Sequence, residues 1–263
     1  MKNKFENRKL CVDRKRGVGQ KIYSFGLALL HVLYPKRCPI CDEVVHVEFL
    51  SDEYPICERC KREIEYVTEP MCKKCGKPLG NERQEYCGDC RKEKHSFTQG
   101  KALWAYKGAV KKSVYRLKYS NRREYGMAYG QELVRQYGEW IRKKQIQGII
   151  PIPLHKKRKR QRGYNQAEVI AKEMGRLLQM PVYDDLLIRR VNTTPQKELN
   201  DKERKNNLKK AFKMCENNVQ LEKVLLIDDI YTTGSTIDGA AAALLEAGVM
   251  EVYFVSVSIG RGY

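Results

Sequence analysis

Residues 224–236 read Val224-Leu225-Leu226-Ile227-Asp228-Asp229-Ile230-Tyr231-Thr232-Thr233-Gly234-Ser235-Thr236. Four consecutive apolar residues, Val224–Ile227, predict a strand buried on both faces, as in a parallel sheet. Two acids follow at its carboxyl end. A hydroxyl-rich turn then opens an alanine-rich helix over Thr236–Glu246, with Gly248 as its stop. In parallel sheets, ligands bind beyond the carboxyl ends of the strands. A turn running into a helix offers backbone N–H groups and the positive end of the helix dipole, which suit a phosphate. Gly234 permits close approach of the backbone, and Thr232, Thr233, Ser235 and Thr236 add hydroxyl donors. Asp228 and Asp229 below that cradle need a cationic or hydroxylic partner. Sugar hydroxyls, a magnesium ion or a developing oxocarbenium charge would each serve.

Upstream, strands and helices alternate from Phe97 onward. Strands are predicted at Lys101–Tyr106, Gly148–Pro153 and Val252–Ile259. Helices are predicted at Val110–Tyr119, Met127–Lys143 and Gln166–Leu178, the last capped by Asn165 with Glu168 three residues on. This alternation predicts an α/β domain over 97–263, a parallel sheet with helices on both faces. Between two of these elements, residues 156–162 hold six basic side chains in seven. A cationic loop there, with Arg158, Arg160 and Arg162, is expected to receive a diphosphate; the alternative is a solvated charge run. Residues 189–212 are polar, basic and weakly periodic, and read as a mobile lid or a solvated connector.

Ten cysteines are present, eight of them in four CxxC pairs: Cys38/Cys41, Cys57/Cys60, Cys72/Cys75 and Cys87/Cys90. Residues 36–96 show little aliphatic periodicity, so a metal is expected to hold them together. Four thiolates make a closed tetrahedral zinc site, structural rather than catalytic. One or two zinc ions are expected. Sequential pairing is preferred because its closures are shorter: Cys38, Cys41, Cys57 and Cys60 in one site, Cys72, Cys75, Cys87 and Cys90 in the other. Interleaved pairing of the first with the third pair is the alternative, and disulfides are a further one. His95 reads as a surface histidine, with replacement of one metal ligand as the alternative, and Cys11 and Cys215 as ordinary thiols.

The 263 residues carry 51 Lys+Arg against 32 Asp+Glu, a formal charge of +19. Such an excess favours polyanionic partners. Hydrophobic content of 42% excludes general disorder. Residues 1–21 form a basic tail, followed by an apolar stretch at 22–34 that is too short to span a bilayer. No transmembrane segment is expected. Residues 1–35 are a tail and a short helix, and the chain is expected to be cytoplasmic, with the inner face of the membrane as a station open to it. Lys111, Lys112, Arg116, Lys118, Arg122 and Arg123 follow one another without an acid, among Tyr106, Tyr115, Tyr119 and Tyr125. Cations for phosphates and rings for bases make this a candidate surface for single-stranded nucleic acid; tyrosines in a core are the alternative.

The 224–236 stretch resembles the phosphoribosyl diphosphate (PRPP) motif of type I phosphoribosyltransferases. In that family the acidic pair binds the ribose 2′- and 3′-hydroxyls and the turn binds the 5′-phosphate. That implies PRPP, with magnesium, at Asp228, Asp229, Thr232, Thr233, Gly234, Ser235 and Thr236, and catalytic roles for the two aspartates. The whole order is PIPLH at 151–155, RGYNQ at 162–166, TTPQ at 193–196, then Arg204, Asn207, Phe212 and the loop, all after four CxxC pairs. It resembles the ComF/ComFC competence family over roughly 25–260: zinc-binding, phosphoribosyltransferase-like proteins of bacterial natural transformation. The resemblance implies a cytosolic protein that binds PRPP, handles incoming single-stranded DNA and acts with a helicase-like ATPase, ComFA. One alternative is an active phosphoribosyltransferase that releases diphosphate onto an unidentified acceptor. Another is a structural adaptor that senses PRPP. Only Gly260–Tyr263 follow the last predicted strand, so a hood over an acceptor has to come from 97–145 or from the cysteine module.

Overall fold

A computed structural model describes residues 35–45, 53–190, 211–215 and 220–260. Expectations placed on the tail and apolar helix at 1–34, on 191–210 and on 261–263 lie outside them. The described strands are β1 (Gln99–Ala105), β2 (Gly148–Pro151), β3 (Leu187–Arg189), β4 (Phe212–Met214), β5 (Lys223–Tyr231) and β6 (Glu251–Ile259). The helices are α1 (Glu58–Glu63), α2 (Gly88–Lys92), α3 (Gly108–Tyr119), α4 (Tyr125–Lys143), α5 (Lys156–Arg162), α6 (Gln166–Leu178) and α7 (Ser235–Glu246). A four-stranded sheet runs β1-β6-β5-β2, parallel throughout, and β3 and β4 form a separate antiparallel pair.

Successive side chains of a strand point to opposite faces, and here both faces are covered. Leu225 and Ile227 of β5, Tyr253, Val255 and Val257 of β6 and Ile149 of β2 join Val114, Leu117, Leu133, Ile170 and Met174 of α3, α4 and α6. Val224, Leu226, Val252, Phe254 and Ile150 join Ile237, Ala240, Ala241 and Leu244 of α7 on the other side. The parallel sheet with helices on both faces is borne out. The β1 edge is closed by chain from the cysteine module: Tyr66 pairs antiparallel with Trp104, the Val67 amide donates to Leu103 O at 2.8 Å, and the Ala105 amide donates to Glu65 O at 3.0 Å. An edge covered in this way cannot recruit another strand.

Two expectations need correction. The strand carrying the aspartates does not stop at Ile227 but pairs with β6 as far as Tyr231–Ile259, so Asp228 and Asp229 lie inside it. Its polar end is tolerated because the neighbouring strand is polar there too, with Ser256 and Ser258. The basic run at 156–162 is a helix, not a loop. The His155 ring accepts from the Lys157 amide at 3.3 Å at one end, and Gly163, with φ 77°, closes the other. Among the described residues, no helix is long and apolar enough to cross a membrane.

Candidate functional site

At the carboxyl ends of β5 and β2 a cleft of about 250 Å³ opens, lined by Asp228, Asp229, Thr232 and Thr236 on one side. Lys118, Arg158, Arg162, Gln166 and Arg189 line the other. Gly234 sits at φ 86° in front of α7 and offers no side-chain cap, so the first-turn amides of α7 have no acceptor within the helix. Only glycine fits there: a Cβ would stand 2.7 Å from the Tyr231 hydroxyl and 3.0 Å from His95 Cε1. Thr233 and Ser235 hydrogen-bond each other through their hydroxyls at 3.0 Å on the exposed side of the turn.

The helical form of 156–162 decides which of its cations reach the cleft. Arg158 and Arg162 are four residues apart and share a face; both line the cleft, whereas Arg160 is exposed on the other side. The RGYNQ run is a joint. Gly163 ends α5, and the buried Tyr164 donates its hydroxyl to Leu117 O at the end of α3. Asn165 accepts from the Ala167 amide at 3.2 Å and donates to Ile152 O at 3.0 Å, which ties the start of α6 to the end of β2. Gln166 is 1% exposed and lines the cleft; its Oε1 accepts from Arg162 at 3.0 Å, and its Nε2 has no partner. A buried donor without an acceptor is costly unless a ligand supplies one.

Asp229 is held by Lys118, Oδ2 to Nζ 2.9 Å, with side chains 13% and 16% exposed. Asp228 Oδ1 accepts from the Asp229 amide at 2.8 Å. Burial, and after it the neighbouring Asp229 carboxylate, pushes the Asp228 carboxyl up to about 7, against the pull of Lys118 and Arg189. Burial and the nearby Arg158 lower Arg189, which Asp228 counters. A carboxyl raised by folding binds its proton more tightly folded than unfolded. It therefore destabilises increasingly as pH rises from about 4, fully above about 7. Asp228→Asn is expected to gain melting temperature over the wild type between pH 5 and pH 8, by the equivalent of ~2–4 kcal/mol. A difference that stays constant across that range would show the carboxyl to be unperturbed.

The six cations assigned to a nucleic-acid surface are placed in three ways. Lys111, Lys112 and Arg123 are exposed. Arg116 donates to Ile40 O at 3.0 Å, and Arg122 meets Asp42 at 3.3 Å; both fasten the cysteine module. Lys118 turns into the cleft. Of the tyrosines, Tyr125 is buried and donates to Asp42, while Tyr115 and Tyr119 remain exposed.

The eight CxxC cysteines form two clusters, Cys38, Cys41, Cys57 and Cys60, and Cys72, Cys75, Cys87 and Cys90, with all sulfurs of a cluster within 4.8 Å of one another. Sequential pairing is therefore the one observed. Cys41 and Cys57 sulfurs are 3.8 Å apart, and those of Cys75 and Cys87 are 3.6 Å apart. Tetrahedral zinc with Zn–S of about 2.3 Å requires S···S of about 3.8 Å, so both clusters fit structural zinc. The first lies in the core on the α3 and α4 face, the second in the core on the α7 face. His95, expected on the surface, is buried instead. Its Nδ1 lies 2.7 Å from Asp238 Oδ2, and Asp238 Oδ1 accepts from the Ser96 amide at 2.8 Å. This contact joins the end of the cysteine module to the first turns of α7, and nothing in the local sequence signals it.

Residues 29–91 match the double zinc ribbon domain family. Competence protein F of Haemophilus influenzae is 29% identical over 228 residues, 85% of this chain and 90% of that protein. Competence protein ComFC of Bacillus subtilis is 27% identical over 224 residues, 80% and 89% of the two chains. The DNA utilization protein YhgH of Shigella flexneri is 30% identical over 169 residues, 63% of this chain and 74% of that protein.

Proposed function

The chain belongs to the ComF/ComFC family of competence proteins, and on that premise we propose that it binds PRPP with magnesium and handles single-stranded DNA during natural transformation. The observation that carries the PRPP half is the cleft at the end of β5, with acceptors on one wall and donors on the other. Asp228 and Asp229 suit ribose hydroxyls or a hydrated magnesium ion. The first-turn amides of α7 and the Thr232 and Thr236 hydroxyls suit the 5′-phosphate. Lys118, Arg158, Arg162 and Arg189 supply the positive charge a diphosphate needs, and Gln166 Nε2 supplies a donor awaiting an oxygen. Support for the DNA half is the exposed cations of α3 and α5, the overall charge and the relatives' names. The family resemblance adds the cytosol as the place of action and a helicase-like ATPase, ComFA, as partner.

Calorimetry of the full chain with PRPP and magnesium tests this, paired with a diphosphate-release assay run with and without single-stranded DNA. Binding without release is the expected result, and no heat of binding would remove the PRPP half. Release of diphosphate would select a second reading, an active phosphoribosyltransferase, which the proton affinity of Asp228 favours. A carboxyl that titrates near pH 7 is suited to general base work. There the C1′–O bond to diphosphate breaks, a bond from the acceptor to C1′ forms, and the acceptor's proton passes to Asp228.

A further inference from the structure

Tyr115 and Tyr119 lie one turn apart on α3 and are 60% and 55% exposed, more than any other described aromatic ring. Their centroids are 4.8 Å apart at 42°, so together they form an exposed aromatic step on the surface. The step adjoins the cleft. The Arg162 guanidinium lies 4.9 Å from the Tyr119 ring centroid, and its Nη2 donates to the Tyr119 hydroxyl at 3.1 Å. Its Nη1 donates to Gln166 in the cleft wall. One residue before Tyr119, Lys118 reaches the other way, onto Asp229.

Two rings this exposed, one with a single face under Arg162, suit an occupant with flat apolar faces. The surrounding charge identifies it: Lys111 and Lys112 stand one turn before Tyr115 on the same helix, and Lys156, Lys157 and Arg160 are exposed on α5. Cations flanking aromatic faces suit phosphates alternating with unpaired bases; a duplex hides its base faces and an apolar protein surface gains nothing from the lysines. We propose that Tyr115 and Tyr119 stack an unpaired base of a bound strand at the mouth of the cleft, and that Arg162 couples strand binding to PRPP binding. This rests on both halves of the function proposed above and adds the place where they meet. Arg162 has two employments. Over Tyr119 it makes an exposed cation–π contact, and a diphosphate in the cleft offers it stronger charge-assisted hydrogen bonds. A ligand that draws it inward uncovers the Tyr119 face for a base. The coupling is positive, and it acts equally in both directions.

Fluorescence anisotropy of the full-length protein tests this with a labelled oligothymidylate and with the same backbone lacking bases. Wild type should prefer the oligomer with bases. Tyr115→Ala/Tyr119→Ala should lose that preference, binding oligothymidylate roughly five- to a hundredfold more weakly. Its affinity for the abasic strand and its salt slope should not change, since no charge is removed. Tyr115→Phe/Tyr119→Phe should retain the preference, which separates stacking from loss of fold. PRPP with magnesium, at concentrations that calorimetry shows to saturate each protein, should tighten oligothymidylate binding to wild type but not to Arg162→Ala. Alanine variants that bind like wild type overturn the stacking site while the DNA-binding function stands. Wild type that binds neither strand removes that function as well. Wild type whose oligomer affinity ignores or falls with PRPP, although calorimetry shows PRPP bound, overturns the coupling.

Discussion

Asp228→Ala/Asp229→Ala is expected to weaken PRPP binding in the presence of magnesium by two to four orders of magnitude. Each carboxylate supplies charge-assisted hydrogen bonds of about 1.5–3 kcal/mol. Losing both removes ~3–6 kcal/mol, or roughly 10²- to 10⁴-fold in affinity. Stability should respond to the single changes in opposite directions. Asp228 is a carboxyl whose charge the fold disfavours, so its removal helps above about pH 7. Asp229 is the partner of Lys118, whose side chain is only 16% exposed. Removing Asp229 alone strands that ammonium, at a cost approaching the ~3–5 kcal/mol typical of breaking a buried pair. Lys118→Met in the Asp229→Ala background should restore much of the lost stability without restoring PRPP affinity. Calorimetry and thermal melting of the four variants check both halves, and wild-type affinity in the double variant would reject the cleft as the PRPP site.

The fold was legible because its signals are local and repeated. The apolar run at Val224–Ile227 and the largely apolar stretch at Val252–Ile259 have no lawful place except between two layers, and the helix at Gln166–Leu178 begins where its Asn165 cap requires. The extra residues of β5 were hidden because Asp228 and Asp229 are poor strand formers. Their place in the ladder is granted by β6, a strand far along the chain. For α5 the difficulty was different. A helix with six cations has no apolar stripe, so periodicity is silent, and only the His155 and Gly163 caps mark it.

In the site, the residues on β5 and its turn were visible as a motif and Arg158 and Arg162 as part of a basic run, whereas the places of Lys118, Gln166 and Arg189 opposite them were not. Lys118 read as one cation among six on a basic stretch. Its distinction is rotational: Val114 and Leu117 face the core and carry Lys118 to the cleft edge, while Lys111 and Lys112 stay in solvent. Arg189 and Gln166 arrive from elsewhere in the chain, and no spacing rule links them to Asp228. His95 shows the same limit. A lone histidine after the last cysteine pair resembles any surface histidine until Asp238, well over a hundred residues later, lies against it.

The two cysteine clusters should fail differently, because each is built into a different face of the sheet. The first cluster is clamped to α3 and to the start of α4. Ser113 donates to Pro39 O, Arg116 to Ile40 O, and Tyr125 to Asp42. The second lies behind the turn that leads from β5 into α7. Its cysteines share a core with Phe97, Tyr231 and Phe254, and burial, then the charge of Cys75 and Cys90, pushes the Tyr231 phenol up. The buried Lys77 links the second cluster to β5, paired with Asp89 and lying 5.9 Å from the Tyr231 ring centroid. Structural zinc contributes about 10–16 kcal/mol of apparent binding free energy, as much as a domain's whole net stability, so neither cluster survives the loss of a ligand. Cys41→Ser and Cys75→Ser should each lose one of two zinc equivalents by metal analysis. Cys75→Ser should release His95 and Ser96 from Asp238, disorder the first turn of α7 and reduce PRPP affinity at least tenfold, while oligonucleotide binding is largely kept. Cys41→Ser should weaken oligonucleotide binding by a similar factor while calorimetry still finds PRPP bound. If both variants lose both activities to the same degree, the ribbons act as one unit and the division of labour between the two faces is wrong.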